Sequence, residues 1–255
     1  MRLKVLGAYG SSDATHNLTG YLVEDRIAVD AGTLTSKLTL LQQAKVETVF
    51  ITHAHADHIR DLPHLIQNRF AQNAPPLTIV AAKDVMERLL SHVFNGEVWP
   101  DFEKFLSPET GKQALRYRAL VPGKRTDVGG GAFLTAVKVD HSVAAAGCIL
   151  EIGGQSLVFT GDTGPTKEIW KRTNKMTGVA AIVTEASFPN DYHQLAYDSG
   201  HLTPETLAAE LPKIEVDAPV YASHRKLPYE RKIESEIKNI RDRRARILVE
   251  KQYTF

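Results

Sequence analysis

Short apolar runs alternate along the chain with stretches in which apolar residues recur every three or four positions. The first pattern is typical of buried strands and the second of amphipathic helices. Two of the runs are apolar throughout, as in parallel strands that are covered on both faces. The predicted strands are residues 2–6, 20–23, 26–29, 48–51, 77–80, 133–139, 146–152, 156–160, 179–183 and 219–222. We therefore predict a single α/β domain over residues 1–255, built of layered sheets and helices.

Helical patterns occur between these strands and again near the end of the chain. The predicted helices are residues 35–44, a helix that begins near residue 57 and runs through 66, residues 84–94, and residues 225–246. In the last of these, Ile233, Ile237 and Ile240 share one face and the opposite face is charged. Residues 95–126 contain three prolines and no clear period, which predicts an irregular lid or insertion.

Composition narrows the class of protein. The 31 basic and 30 acidic residues give a net charge of +1, which argues against a general nucleic-acid-binding protein. Cys148 is the single cysteine, so neither an internal disulfide nor a Cys-x-x-Cys metal site is expected. No segment resembles a secretory signal or a membrane span. We therefore expect a cytoplasmic protein with no membrane partner.

Five of the predicted strands run directly into polar residues that can bind metals. These residues are, in chain order, His53, His55, Asp57, His58, Asp140, His141, Asp162, Glu185 and His224. Ligands bind α/β sheets beyond the carboxyl ends of the strands, where the loops converge on a rigid frame. The common position of these residues predicts one site at that edge.

The residue types indicate a metal site. Imidazole and carboxylate ligands without thiolate suit zinc, manganese or iron. The seven candidate ligands are His53, His55, Asp57, His58, His141, Asp162 and His224. One tetrahedral ion needs only four ligands, so the set predicts two divalent ions, most simply zinc, that share a bridging ligand. The alternative is that these side chains only cap helices or hydrogen-bond within the core.

This pattern resembles that of the metallo-β-lactamase-fold hydrolases, whose signature is His-x-His-x-Asp-His followed at a distance by His, Asp and His. The resemblance extends from about Leu3 to His224 and includes the Asp30-Ala31-Gly32 segment after a strand. It implies an αββα sandwich, in which two mixed β-sheets are flanked by helices. It also implies that His53, His55 and His141 bind one metal. By the same resemblance, Asp57, His58 and His224 bind the second, and Asp162 bridges the two.

Further segments point to a subgroup. The oxidoreductase branch of the family has a glutamate where this chain has His55, so a hydrolase is implied. Residues 160–166 (TGDTGPT), 184–190 (TEASFPN) and 200–207 (GHLTPETL) resemble the class II cyclic nucleotide phosphodiesterases, and ribonuclease Z shares related segments. The span from His141 to Asp162 has room for a hairpin but not for the tRNA-gripping arm of ribonuclease Z. Ala56 and Asp61 depart from the usual class II pattern, which has Leu and a small residue there.

The resemblance implies hydrolysis of 3′,5′-cyclic AMP or GMP to the nucleoside 5′-monophosphate. A sugar alkoxide leaves poorly, so a positioned acid should help. We assign that role to His201, oriented by Glu185, and we count Asp57 as catalytic as well as a ligand. His16, His193 and Asn190 are candidates for contact with substrate.

Other histidines and two competing functions complete the sequence interpretation. Asp30 is expected to hydrogen-bond a ligand histidine, while His64 and His92 are expected to be structural residues of helices. The competing functions are a tRNA 3′-end nuclease, or an enzyme that opens other cyclic phosphates, and a metal-binding protein without catalysis. Related enzymes often dimerise, so the resemblance also allows a homodimer.

Overall fold

A computed structural model describes residues 1–255 and contains two seven-stranded β-sheets. The first sheet has, in spatial order, β14 (Gln252–Thr254), β1 (Arg2–Gly7), β2 (Gly20–Val23), β3 (Ile27–Val29), β4 (Thr48–Ile51), β5 (Leu77–Ala82) and β6 (Leu115–Leu120). The second has β13 (Ala245–Ile247), β12 (Val220–Ser223), β11 (Val179–Glu185), β10 (Gln155–Phe159), β9 (Ala146–Ile152), β8 (Ala132–Lys138) and β7 (Thr126–Gly129).

Both sheets are mixed in the same way. In the first sheet β14, β1, β2 and β3 are antiparallel neighbours, and β3 through β6 are parallel. In the second sheet β7 through β10 are antiparallel, and β10 through β13 are parallel. The parallel strands β4 and β12 are buried at every position, which is why their sequences are almost wholly apolar.

The chain has eight α-helices. They are α1 (Leu40–Lys45), α2 (Ala56–Ile59), α3 (Leu62–Ala71), α4 (Lys83–His92), α5 (Glu168–Thr173), α6 (His193–Ser199), α7 (Pro204–Glu210) and α8 (Glu230–Lys238). Of these, α3, α4, α5, α7 and α8 pack against the sheets. The main core joins side chains of both sheets, such as Phe50 and Phe159, with the apolar faces of α3 and α4. A second core packs Trp170 of α5 and Ile233 of α8 against the far face of the second sheet.

This layering is the αββα sandwich of two mixed sheets that the sequence predicts, so the predicted fold is confirmed. None of the eight α-helices combines the length and the apolar character that crossing a bilayer requires.

Three local predictions were wrong in their bounds. The helix predicted over 35–44 begins only at Leu40, because Thr39 caps it with a reciprocal Thr39–Gln42 pair. The helix predicted over 225–246 is limited to α8, and the chain then forms strand β13. The segment 95–126 is not irregular throughout, since it contains β6. Arg116 and Arg118 interrupt the apolar pattern of that strand, as is typical of strands at a sheet edge.

Candidate metal centre

The carboxyl ends of β4, β10, β11 and β12 and the turn after β8 bring the polar residues together between the two sheets. The β4 segment continues through His53 and His55 into the short helix α2, whose first turn carries Asp57 and His58. The other three candidate ligands come from the second sheet, and all are buried or half-buried. All seven candidate ligands therefore lie in one place, arranged in two groups.

The first group consists of His53, His55 and His141. His53 Nε2 is 3.0 Å from His55 Nδ1, and His55 Nδ1 is 3.4 Å from His141 Nε2. The three rings meet edge to face, and one nitrogen of each lies near a common point. This is the trio that the resemblance assigns to the first metal.

The second group consists of Asp57, His58, Asp162 and His224. His58 Nε2 and Asp57 Oδ2 each lie 3.1 Å from His224 Nε2. Asp162 is 3.3 Å from each of the two imidazoles, through Oδ1 to His58 and through Oδ2 to His224. Four ligand atoms thus surround a second point.

Asp162 also contacts the first group, since its Oδ2 is 3.7 Å from His53 Nε2. One buried carboxylate therefore faces both groups, which is the position that a bridging ligand requires. Burial raises the pKa of Asp162, but electrostatic interaction with the imidazoles of His224 and His58 lowers it by more, so the net pKa lies well below the ordinary value. Asp162 is therefore ionised.

The outer nitrogens of four imidazoles are already occupied. Nδ1 of His53 donates to Thr52 Oγ1 at 3.0 Å, and Nδ1 of His58 donates to Asp30 Oδ2 at 2.7 Å. The same atom of His141 donates to the Gly200 carbonyl at 2.8 Å, and that of His224 donates to Ser187 Oγ at 3.0 Å. In the neutral form of each ring, Nδ1 keeps its hydrogen and Nε2 presents a lone pair toward the centre.

These residues fit two divalent cations. Inward lone pairs only 3.0–3.4 Å apart repel one another unless something positive lies between them. Ligands about 2.0–2.2 Å from a tetrahedral zinc are themselves roughly 3.3–3.6 Å apart, close to the observed separations. Burial, with the positive charge of His58 as a second cause, holds the pKa of His53 well below its usual value, which keeps that imidazole neutral as a ligand must be.

Asp30 supports the centre from the first sheet. Its carboxylate is buried. It accepts hydrogen bonds from the backbone N–H and the hydroxyl of Thr52 and from Nδ1 of His58. The expectation that Asp30 hydrogen-bonds a ligand histidine is thus confirmed. Its backbone is left-handed, at φ 58°, a conformation that aspartate tolerates better than most residues.

Glu185 and His201 form the pair that the sequence predicts. His201 Nδ1 donates to Glu185 Oε1 at 2.8 Å, and the ring is stacked 5.6 Å from that of His224. Burial lowers the pKa of His201, but the Glu185 carboxylate outweighs burial, and the net pKa is raised. His201 Nε2 forms no hydrogen bond with the chain and is therefore free to act on a bound molecule.

Ser187 was missed by sequence reasoning. Its hydroxyl donates to Glu185 Oε2 at 2.5 Å and accepts from His224 Nδ1 at 3.0 Å, and it is 3.2 Å from His201 Nδ1. It thus joins the candidate acid to the candidate ligand. The only signal in the sequence is its position two residues after Glu185, which places both side chains on one side of an extended chain.

The three candidate substrate residues lie outside the two ligand groups. His16 faces Asp13 at 2.9 Å and packs edge-on against Tyr9. Asn190 Oδ1 accepts the backbone N–H of Glu205 at 2.8 Å, at the start of α7. His193 is exposed at the start of α6. None of the three forms a hydrogen bond or ion pair with a candidate ligand, and their contact with substrate stays a prediction.

The unusual Asp61 has a structural explanation. Its Oδ2 accepts the backbone N–H groups of Leu34, Thr35 and Ser36 at 2.8–3.2 Å and so holds the loop that follows Asp30. Asp61 is buried and is the N-cap residue of α3. It directly follows Arg60, the C-cap residue of the short helix α2. Asp61, three residues after His58, therefore stabilises the loop beside the centre and is not one of the candidate ligands.

His224 is held from behind by the first sheet. Its backbone is left-handed, at φ 57°, and its N–H donates to the Ala8 carbonyl at 2.8 Å. Gly10 lies against the imidazole so closely that a Cβ on it would be 2.5 Å from His224 Cε1. The loop after β1 therefore fixes a ligand that belongs to the second sheet.

Comparison with known proteins agrees with this architecture. Two curated relatives are a probable 3′,5′-cyclic-nucleotide phosphodiesterase of Yersinia pestis and a ribonuclease Z of Pyrobaculum neutrophilum. The first is 28% identical over 72% of this chain and 55% of its own length. The second is 30% identical over 77% of this chain and 76% of its own length. The chain thus spans little more than half of the Yersinia protein.

A solved structure shares the fold of this chain, and a family profile matches its sequence. The structure of unliganded yeast PDE1 superposes with a TM-score of 0.81 and 17% identity, over 98% of both chains. At that identity the likeness shows the fold alone. The profile of the beta-lactamase superfamily domain matches residues 25–224, which include all seven candidate ligands. The chain therefore belongs to the beta-lactamase superfamily and has the metallo-β-lactamase fold.

Proposed function

We propose that the protein is a metal-dependent phosphodiesterase that hydrolyses 3′,5′-cyclic nucleotides to nucleoside 5′-monophosphates. The observation that carries the proposal is the position of the Glu185–His201 pair beside the two ligand groups. His201 Nδ1 is 3.9 Å from Asp162, and its ring centroid is 5.1 Å from that of His141. A proton donor thus stands next to the place where a phosphoryl group would be held.

The metals and the protein have separate tasks. Two divalent cations, zinc or else manganese or iron, would supply Lewis-acid neutralisation of the phosphoryl oxygens and lower the pKa of water at the site. His53, His55 and His141 would hold one cation, Asp57, His58 and His224 the other, with Asp162 between them. We propose that Asp57, the most exposed of the carboxylates here, also orients the attacking water.

His201 would donate a proton from Nε2 to the ribose 3′ oxygen as the phosphorus–oxygen bond breaks. Glu185 accepts the hydrogen of Nδ1 and so fixes both the ring orientation and the tautomer. Ser187 bonds the other oxygen of Glu185 and prevents the carboxylate from turning away. Since an alkoxide is a poor leaving group, this acid is expected to contribute roughly 10²–10⁴-fold.

A tRNA 3′-end nuclease is the second candidate, because several curated relatives are named ribonuclease Z. Two features favour the cyclic nucleotide. Between His141 and Asp162 the chain forms only the β9–β10 hairpin, which turns at Gly153 and Gly154 and has no projecting arm. The net charge of +1 also offers little general attraction to a polyanion.

The test is turnover of a small substrate panel by purified protein whose metal content has been measured. We expect about two divalent ions per chain and hydrolysis of cyclic AMP or cyclic GMP to the 5′-monophosphate. Dialysis against a chelator should abolish turnover, and re-addition of zinc or manganese should restore it. Cleavage of precursor tRNA without cyclic nucleotide turnover would reverse the order of the two candidates.

Other features of the proposal follow the sequence predictions. We place the enzyme in the cytoplasm, acting on a small molecule and without a membrane partner. A homodimer is also compatible with this function, and light scattering of the purified protein would measure its mass in solution.

A further inference from the structure

Two cavities open beside the candidate metal centre. The first, of about 520 Å³, includes His55 in its wall, and the second, of about 340 Å³, includes His141. Ser142 lines both. A phosphodiester held between the ligand groups would therefore direct the rest of the molecule into one cavity or the other.

The two cavities differ in chemistry. The larger one, here the basic cavity, has apolar walls from Ala54, Val93 and Val143 and two nitrogen-bearing side chains, Arg88 and His92. The smaller one, here the acidic cavity, carries Asp140 and Asp198 beside Tyr197. Carboxylates repel the negatively charged phosphodiester. The basic cavity is therefore electrostatically the more favourable place for the rest of a nucleotide.

Arg88 is the main polar feature of the basic cavity. It lies one helical turn before His92 on α4, so the two side chains project from the same face. The Arg88 guanidinium takes part in no ion pair, although Asp84 and Glu87 are close in sequence and pair with Lys138 and Lys83 instead. An arginine beside an active site without a partner in the chain is available to a ligand.

Size and shape also match a base. The volume lies within the range of roughly 300–1,000 Å³ that is common for small-molecule sites, and such sites combine apolar walls with a few polar groups. Val143 is 43% exposed and lines the cavity, so its side chain offers an apolar surface to a ligand there. The flat faces of a purine could pack between Val143 and Val93, with its polar edge toward α4.

We propose that the basic cavity binds the purine base of the substrate and that Arg88 makes the enzyme prefer cyclic GMP to cyclic AMP. The inference rests on the proposed cyclic nucleotide activity. A guanidinium can donate to both O6 and N7 of guanine, whereas adenine presents an acceptor and a donor on the same edge. The sequence pattern predicts a structural role for His92. In this proposal His92 lines the base site together with Arg88.

The experiment compares kcat/KM for cyclic GMP and cyclic AMP in wild type, Arg88→Ala and Val143→Trp. A bidentate contact of this kind discriminates between bases by roughly fivefold or more, so we expect the wild type to prefer cyclic GMP by that factor. Arg88→Ala should bring the ratio close to one. Val143→Trp should fill the cavity and reduce kcat/KM for both nucleotides by about tenfold or more.

Bis(4-nitrophenyl) phosphate is the control substrate, because it has no base and a good leaving group. Its hydrolysis by the wild type reports on the centre without a nucleobase, while metal content and thermal unfolding verify that Arg88→Ala folds and holds metal. Arg116→Ala is the matched control variant, since Arg116 is exposed on β6 and forms no ion pair or hydrogen bond through its side chain. It should leave the nucleotide ratio unchanged.

The outcomes separate the two proposals. Turnover of cyclic nucleotides with the same cyclic GMP to cyclic AMP ratio in wild type and Arg88→Ala overturns the base site and leaves the proposed function intact. Hydrolysis of bis(4-nitrophenyl) phosphate without turnover of either cyclic nucleotide overturns the proposed function, and the base site with it. If Val143→Trp does not fold, the Arg88→Ala ratio alone decides.

Discussion

The two sheets contribute to the candidate centre in different ways. The first sheet supplies four candidate ligands from one contiguous segment, residues 53–58, directly after β4. The second supplies its ligands singly, from the turns after β8, β10 and β12. The first contribution depends on local chain geometry, and the second depends on strand register. The centre is thus half a local motif and half a product of tertiary structure.

The largest effect should come from the one ligand that faces both groups. Asp162→Ala removes contacts to His53, His58 and His224 together, whereas Asp57→Ala removes an edge ligand that is half-buried. Loss of an outer hydrogen-bond partner already costs about 10–100-fold in metal affinity or activity, so loss of the bridge should exceed this. We expect Asp162→Ala to lose most of its metal and Asp57→Ala to retain more.

Metal analysis after gel filtration, with bis(4-nitrophenyl) phosphate turnover, measures both variants. Retention of two ions per chain by Asp162→Ala would show that the scattered half of the site is dispensable, contrary to the geometry.

The next effect concerns a group of the second half that acts on the leaving group. His201→Ala should retain the metal content of the wild type and lose roughly 10²–10⁴-fold in cyclic nucleotide turnover. The loss on bis(4-nitrophenyl) phosphate should be much smaller, because nitrophenolate leaves without help. Equal losses on both substrates would remove His201 from the role of acid.

A smaller and more direct comparison uses one supporting residue from each half. Asp30→Asn weakens the partner of His58, and Ser187→Ala removes the partner of His224. Each should reduce metal affinity by roughly 10–100-fold, with the larger loss for Asp30, because a charged acceptor holds an imidazole N–H more strongly than a hydroxyl does. Competition with a zinc indicator measures both. A greater loss from Ser187→Ala would reverse the ranking of the halves.

The smallest effect should be on stability and not on metal. Asp61→Ala leaves the N–H groups of Leu34, Thr35 and Ser36 without their acceptor, which should lower the free energy of unfolding by about 1–3 kcal/mol. Arg60→Ala is the control, since its half-exposed ion pair with Asp61 contributes little. Urea unfolding of chelator-treated proteins at pH 7 gives both values.

This contribution should also depend on pH. Burial raises the pKa of Asp61, but hydrogen bonds from Ser36, Thr35 and Arg60 lower it by a larger amount. The net pKa of Asp61 is therefore below that of an ordinary aspartate. The stabilisation is therefore fully present above the pKa of an unfolded aspartate, near 3.9, and is lost as pH falls through the lower folded value. The difference between wild type and Asp61→Ala should narrow in acid. A constant difference from pH 7 to acid would contradict this.

The difference between the contiguous segment 53–58 and the scattered residues of the second sheet also explains which parts of the site the sequence could reveal. Residues 53–58 stand out because three histidines and an aspartate within six positions have no common structural cause. His141, Asp162 and His224 were identifiable because apolar strands point to them. Ser187 was not, because a serine near a strand end is ordinary, and its value depends on residues 14 and 37 positions away.

Two misses have a physical reason in the patterns themselves. Strand β6 escaped detection because its arginines face solvent at the edge of the sheet, where alternation is incomplete. Arg88 has the spacing of a solvated helix face, and only the fold shows that α4 brings it to the same cavity as His55. Periodicity reports burial, whereas a binding surface depends on which loops meet.

The hold that Ala8 and Gly10 have on His224 has a consequence for the order of assembly. His224 is the last of the seven candidate ligands along the chain, and its imidazole is positioned by residues that precede all the others. The second group of candidate ligands is therefore complete only once β12 has docked beside the loop after β1. Under the proposed function, binding of the second cation would then come late in folding, after this long-range contact has formed.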